Sequence, residues 1–174
     1  MQFVIQTTYD QKAMTAMART MRKTVRKEKS KNNTFFGGAI VLLVALLVRA
    51  KLEAGDPFDG RDFLMIAAAM AIILVQFTQD HVNGWLARRK ILPGTETGTS
   101  TFTEEGYTTS NTAAETRWSH KQIMAAYETP DYFVFFLSHR HGQVYDKKGF
   151  LEGTPDAFRE FIEAQTGKPV AFVK

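Results

Sequence analysis

Two long apolar stretches stand out against an otherwise mixed pattern. Asn32 to Val48 carries no charge, and within it Phe35 to Val48 (FFGGAIVLLVALLV) is continuously apolar. Phe63 to Gln79 is again free of charge, around FLMIAAAMAIILVQF. Each run is 17 residues, at the short end of the roughly 17–25 that cross a bilayer as a helix. The stems of Arg49 and Lys51 extend the first span by lying along lipid while their charges reach the headgroups. A pair of buried helices in a soluble protein would need a larger surrounding core than 174 residues supply. The pattern therefore predicts a transmembrane helical hairpin over 32–90, with helices at about 33–50 and 62–80. Gly55-Asp56-Pro57 and Asp59-Gly60 mark its turn.

Before the hairpin, FVIQT at 3–7 reads as a short strand. After Asp10, a good helix cap, Met14, Met17, Ala18, Met21 and Val25 recur at helical spacing. Lys12, Arg19, Arg22, Lys23, Arg26 and Lys27 fill the other side. Residues 1–31 are thus expected to form a basic amphipathic arm, with Arg22, Lys23, Arg26 and Lys27 as candidate contacts to anionic lipid. An ordinary positive flank running straight into the first span explains the same charges.

Beyond Pro93-Gly94 the period shortens to that of strands. Segments at Gly98–Thr103, Tyr107–Asn111, Ala114–Ser119, Gln122–Thr129, Tyr132–Ser138 and Gln143–Asp146 are separated by turn residues. Tyr132 to Leu137 is apolar on both faces and reads as a central strand. Thr154, Pro155 and Asp156 start a helix whose inward stripe is Phe158, Phe161, Ile162 and Gln165, and Gly167 ends it. The expected fold is an α+β membrane protein. A basic arm and a transmembrane hairpin precede a small antiparallel β domain over 91–174, closed by one C-terminal helix on a pleckstrin-homology-like plan.

Charge, divided along the chain, sets the topology. Residues 1–31 carry +6, the loop 49–62 carries −1, residues 80–90 carry +2 and 91–174 carry −3. The positive-inside bias places both termini in the cytoplasm and the short loop outside, in a bacterial inner membrane. The basic excess beside the apolar blocks, without interleaved aromatics or a known motif, argues against a nucleic-acid partner. No ionisable residue lies inside either block, which favours an anchor over a conduit. Gly37 and Gly38 in the first block, and Ala67, Ala68, Ala69 and Ala71 in the second, suit close helix packing within the hairpin or between copies.

Chemistry is sparse. The chain has no cysteine, which removes disulfides, thiolate nucleophiles and cysteine-ligated metals. His139 and His141 share a strand face but lack a third ligand, and Ser119-His120 neighbours point to opposite faces. No nucleophile elbow, phosphate loop or zinc-binding helix signature is present. No catalytic residue, cofactor, metal or small-molecule substrate is therefore expected. Lys147 and Lys148, with Arg117 or Lys121, form the one candidate anion or lipid-headgroup patch in the C-terminal part.

The series TFTEEGY, RWSHKQI, YETPDYFVFFLS and VYDKKGF, followed by a capped helix, resembles the C-terminal domain of the YcxB-like family. In that family two membrane helices precede the domain, as here. Members carry a proline before a basic pair where this chain reads Asp146-Lys147-Lys148. The resemblance implies architecture and no defined activity. The functional expectation is a non-enzymatic, membrane-anchored interaction module that meets the lipid bilayer, a protein partner or a second copy. The rival is an accessory subunit of a membrane transporter or complex.

Overall fold

The computed structural model describes residues 1–174. They form two compact units, residues 1–25 with 80–174, and residues 26–79. The elements run β1 (Phe3–Thr8), α1 (Gln11–Lys23), α2 (Lys27–Ala54), α3 (Gly60–Arg88), β2 (Thr97–Thr103), β3 (Gly106–Ser110) and β4 (Glu115–Trp118). They continue through β5 (Ala125–Glu128), β6 (Tyr132–Phe136), β7 (Gly142–Asp146), β8 (Phe150–Glu152), α4 (Pro155–Thr166) and β9 (Val170–Phe172).

Phe3, Ile5 and Thr7 alternate inward along β1, the period-2 pattern of a half-buried strand. Their strand is internal to a five-stranded sheet of order β4-β3-β2-β1-β8. β1 pairs antiparallel with β2 from Phe3↔Phe102 to Thr8↔Thr97. A second sheet has the order β7-β6-β5-β9, in which only β5 and β9 are parallel. Between the sheets lies an aromatic core of Phe3, Phe102, Tyr107, Phe133, Phe135 and Tyr145, closed by Phe158, Phe161 and Ile162 of α4. The Phe158 ring stands 4.8 Å from Phe102, 5.2 Å from Phe133 and 5.3 Å from Phe3, within the range of favourable ring pairs. Gly153, at φ +85°, turns the chain from β8 into α4, and a Cβ there would overlap the Phe3 ring.

All five residues of β6 are buried, and two layers explain it. Phe133 and Phe135 face the aromatic core, while Tyr132, Val134 and Phe136 pack against Ala13 and Met14 of α1. α1 is capped by Asp10, whose carboxylate accepts from Ala13 N at 2.8 Å. The expected basic arm, residues 1–31, does not stand apart. In the structure β1 and α1 are built into the same unit as 80–174, because a period-3.6 apolar stripe covers a sheet face as well as a lipid surface. α1 ends at Lys23 and α2 begins at Lys27, so the helix does not run unbroken into the first apolar span.

The six expected strands are present with shifted ends. The segment read as one strand from Gln122 is instead a 3₁₀ turn at His120–Gln122 followed by β5, since Ser119 and Gln122 make a reciprocal capping box. Strands β8 and β9, three residues each, were not among those expected. α4 starts and stops as read: Thr154 accepts from Ala157 N, and Gly167 takes the left-handed conformation at φ 63°.

In the 26–79 unit, α2 and α3 are long and apolar enough to cross a membrane. They extend past the expected 33–50 and 62–80, because a charge-free run bounds only the apolar section of a helix. Backbone bonding continues through polar flanks, helped by Lys31–Glu28 at 3.5 Å and Arg49–Glu53 at 2.8 Å. Gly37 admits the Gln76 side chain, and a Cβ there would overlap its amide nitrogen. At the hairpin turn Gly55 is left-handed, Asp59 accepts from Arg61 N at 2.8 Å, and Asp62 pairs with Lys51.

Candidate functional site

Most cations of the 1–25/80–174 unit are already engaged. Arg22 donates from Nε and Nη2 to the two oxygens of Asp80, each at 2.6 Å, and Arg19 approaches the same carboxylate at 3.7 Å. This bidentate pair ties the end of α1 to the part of α3 that belongs to the same unit. Its hydrogen bonds hold the Arg22 guanidinium in its charged form, with a pKa above the ordinary value. Lys23 donates to the Lys174 carbonyl. Arg26 and Lys27 fall in the other unit and are exposed.

Glu128 closes the end of β5 as the centre of a second network. It is 5% exposed and takes both Arg159 of α4 and Lys147, with Arg159 Nη2 at 2.9 Å. Arg159 also reaches Asp156 at 2.9 Å. Bonding from Arg159, then from Lys147, holds the Glu128 carboxyl below its ordinary range despite burial. Lys147 is thus a partner of a buried carboxylate and does not join Lys148 in an open anion patch. Lys148 is exposed. Arg117 lies on β4 beside Glu115 at 3.5 Å. The two halves of the sequence-derived Lys147–Lys148 pair therefore serve different ends.

The histidines are dispersed. His139 and His141 lie on the β6–β7 turn, with the His141 ring edge-on to Trp118 at 5.7 Å. His120 is buried, with Nε2 2.7 Å from the Thr103 carbonyl. No group of three or more His, Asp or Glu side chains is arranged to hold a metal ion.

Two large grooves open on this unit. The larger, about 740 Å³, runs beside α1 and the β5–β6 turn. It mixes Arg19 and Arg88 with Asp10, and Lys12 pairs with Asp131 at 2.8 Å across it, so its charges cancel locally. The second, about 630 Å³, is of different character. Its walls are Met14, Met17 and Met21 of α1, Ala87 at the end of α3, and Ile91 and Leu92 just beyond. Its floor is Val144 with the phenols of Tyr9 and Tyr145. Tyr145 and Tyr107 both donate to Gln143 Oε1, at 2.8 and 2.7 Å. Burial pushes the Tyr9, Tyr107 and Tyr145 hydroxyls above their ordinary pKa, so the floor is uncharged.

Lys90 and Arg140 stand at the rim with His141, and no Asp or Glu lines this groove. In the sequence Lys90 is one of the basic residues after the second apolar block, and Arg140 lies between two histidines. The signal that joins them to the methionines is tertiary: β7 has to pack against α1 before they meet.

Comparison with known proteins adds one positive finding. No curated protein and no solved structure matches the chain. Residues 102–163 match the model of a family described as YcxB-like protein. The matched segment runs from the end of β2 into α4 and omits β1, α1 and both membrane-capable helices. After two long apolar helices, the chain carries a YcxB-like domain at residues 102–163.

Proposed function

We propose that the protein is a non-enzymatic, membrane-anchored interaction module. Its hairpin holds a pleckstrin-homology-like domain at the cytoplasmic face of a bacterial inner membrane, with both termini inside. One observation carries this reading. The strand before the hairpin pairs with the strand after it, from Phe3↔Phe102 to Thr8↔Thr97. A hairpin inserted between paired strands has to enter and leave the bilayer on one side. The +6 and +2 flanks against the −1 loop then favour the cytoplasm for that side. The two facing sheets closed by α4 support the pleckstrin-homology-like plan, a scaffold whose work is recognition.

The chain has no cysteine, so single introduced cysteines report topology cleanly. Asp56→Cys is expected to react with a membrane-impermeant maleimide in intact cells, and Glu105→Cys only after the membrane is opened. Labelling of Glu105→Cys in intact cells would overturn the reading. The module reading further predicts a protein or lipid that co-purifies reproducibly; repeated recovery of the bare chain would count against it.

A second reading, an accessory subunit of a transporter or larger membrane complex, is favoured by Ala67, Ala68 and Ala71. These are exposed on α3 while Ala69 is buried, so small residues face outward where another helix could approach closely. Cross-linking from Ala68→Cys that yields no product at several protein densities would remove it.

A further inference from the structure

We infer that the groove between α1 and β7 binds one anionic phospholipid of the adjoining leaflet, with an acyl chain against the methionines and the phosphate at Lys90 and Arg140. Its volume, about 630 Å³, falls in the range of small-molecule sites, which is roughly 300–1,000 Å³. Three methionines on one wall give a flexible, polarisable surface that moulds to an unbranched chain. Gly142 lies beneath them, where a Cβ would stand 3.3 Å from the Met17 sulfur and 2.8 Å from the Phe136 ring.

The charge pattern selects an anion. Arg22, Lys12, Lys147 and Arg159 are held by carboxylates, and Arg89 stacks 3.8 Å from the Trp85 ring centre. Lys90 and Arg140 have no such partner, and no acidic residue lines the groove to neutralise them. The occupant follows from chain continuity. Lys90, Ile91 and Leu92 come directly after α3, one of the two membrane-capable helices. Trp85 and Leu86 are exposed on its last turns, and aromatic and cationic side chains of this kind favour the headgroup level. Lys90 of the rim thus follows the end of α3 by two residues. This assignment rests on the anchoring proposed above.

The test is native mass spectrometry of the full chain in a non-ionic detergent, with equal amounts of dioleoyl phosphatidylglycerol and dioleoyl phosphatidylcholine. The inference predicts one phosphatidylglycerol retained per chain with at least fivefold preference. Lys90→Glu combined with Arg140→Glu, both exposed, should abolish the preference while leaving the thermal transition unchanged. Met17→Trp, which fills the groove, should reduce retention of phosphatidylglycerol at least fivefold while circular dichroism stays native. Equal retention of the two lipids overturns the inference, as does a preference that survives the double charge reversal or a folded Met17→Trp. The cysteine mapping separates the two levels. If it holds while the lipid preference is absent, only the groove assignment falls; if it fails, the anchoring falls with it.

Discussion

The two units of this chain bury apolar surface by opposite rules. In the 1–25/80–174 unit a cluster of large aromatics is fully enclosed: Phe3, Phe102, Phe133, Phe135 and Phe158 are all 0% exposed. In the hairpin large apolar side chains point outward, with Phe77 at 85% and Leu64 at 71%. Water drives the first arrangement, because apolar area removed from it is worth about 25 cal/mol per Å². Between helices in lipid, as proposed for the hairpin, that drive is absent, and close packing and turn chemistry take its place. Gly37 against Gln76 and the Lys51–Asp62 pair are such devices. The contrast teaches that hydrophobicity alone does not say where an apolar residue goes; its period and its neighbours do.

The sharpest way to break this contrast is to cut the 1–25/80–174 unit at the boundary its sequence suggests. Residues 91–174 alone lack β1, an internal strand of the five-stranded sheet, and the α1 cover of β6. That fragment should be unfolded or aggregated, with no cooperative thermal transition by circular dichroism. Next in size is Phe158→Ala, expected to cost about 4 kcal/mol as a large aromatic removed from a closed core. Phe77→Ala should leave the same denaturant midpoint within error in detergent. Equal effects at the two positions would erase the contrast between the two units.

A smaller effect is expected at Glu128. Its carboxyl titrates below the unfolded value because Arg159 and Lys147 favour the charged form. The stabilisation is therefore fully present above the unfolded pKa, about 4.3, and fades as pH falls through the lower folded value. Glu128→Gln should cost about 3 kcal/mol near neutrality by leaving buried charge uncompensated. It should also flatten the loss of melting temperature below pH 4. Wild-type and variant curves that stay parallel through acid would contradict the network.

How much of this was legible follows the range of each interaction. The two long apolar helices, the caps of α4 and the two-faced β6 are written in contiguous residues, and the structure has all three. β1 was read as a strand, but its partner is about ninety positions away, beyond any local period. β8 and β9 are too short to show alternation. The methionine stripe of α1 is identical for a sheet face and a lipid surface, so only tertiary packing separates them. The same limit governs the site. Lys147 and Lys148 look alike in sequence, yet Glu128 lies where the fold brings it to only the first. Lys90 and Arg140 converge on one groove that neither segment announces.

The hairpin interrupts a single folded unit, 1–25 with 80–174. Arg22 and Asp80, bonded at 2.6 Å, flank the insertion within one unit, so a short Gly-Ser linker can replace residues 26–79. The joined chain, 1–25 to 80–174, should appear in the soluble fraction with a β-rich spectrum and a cooperative melt. An unfolded product, or one as disordered as 91–174 alone, would contradict it.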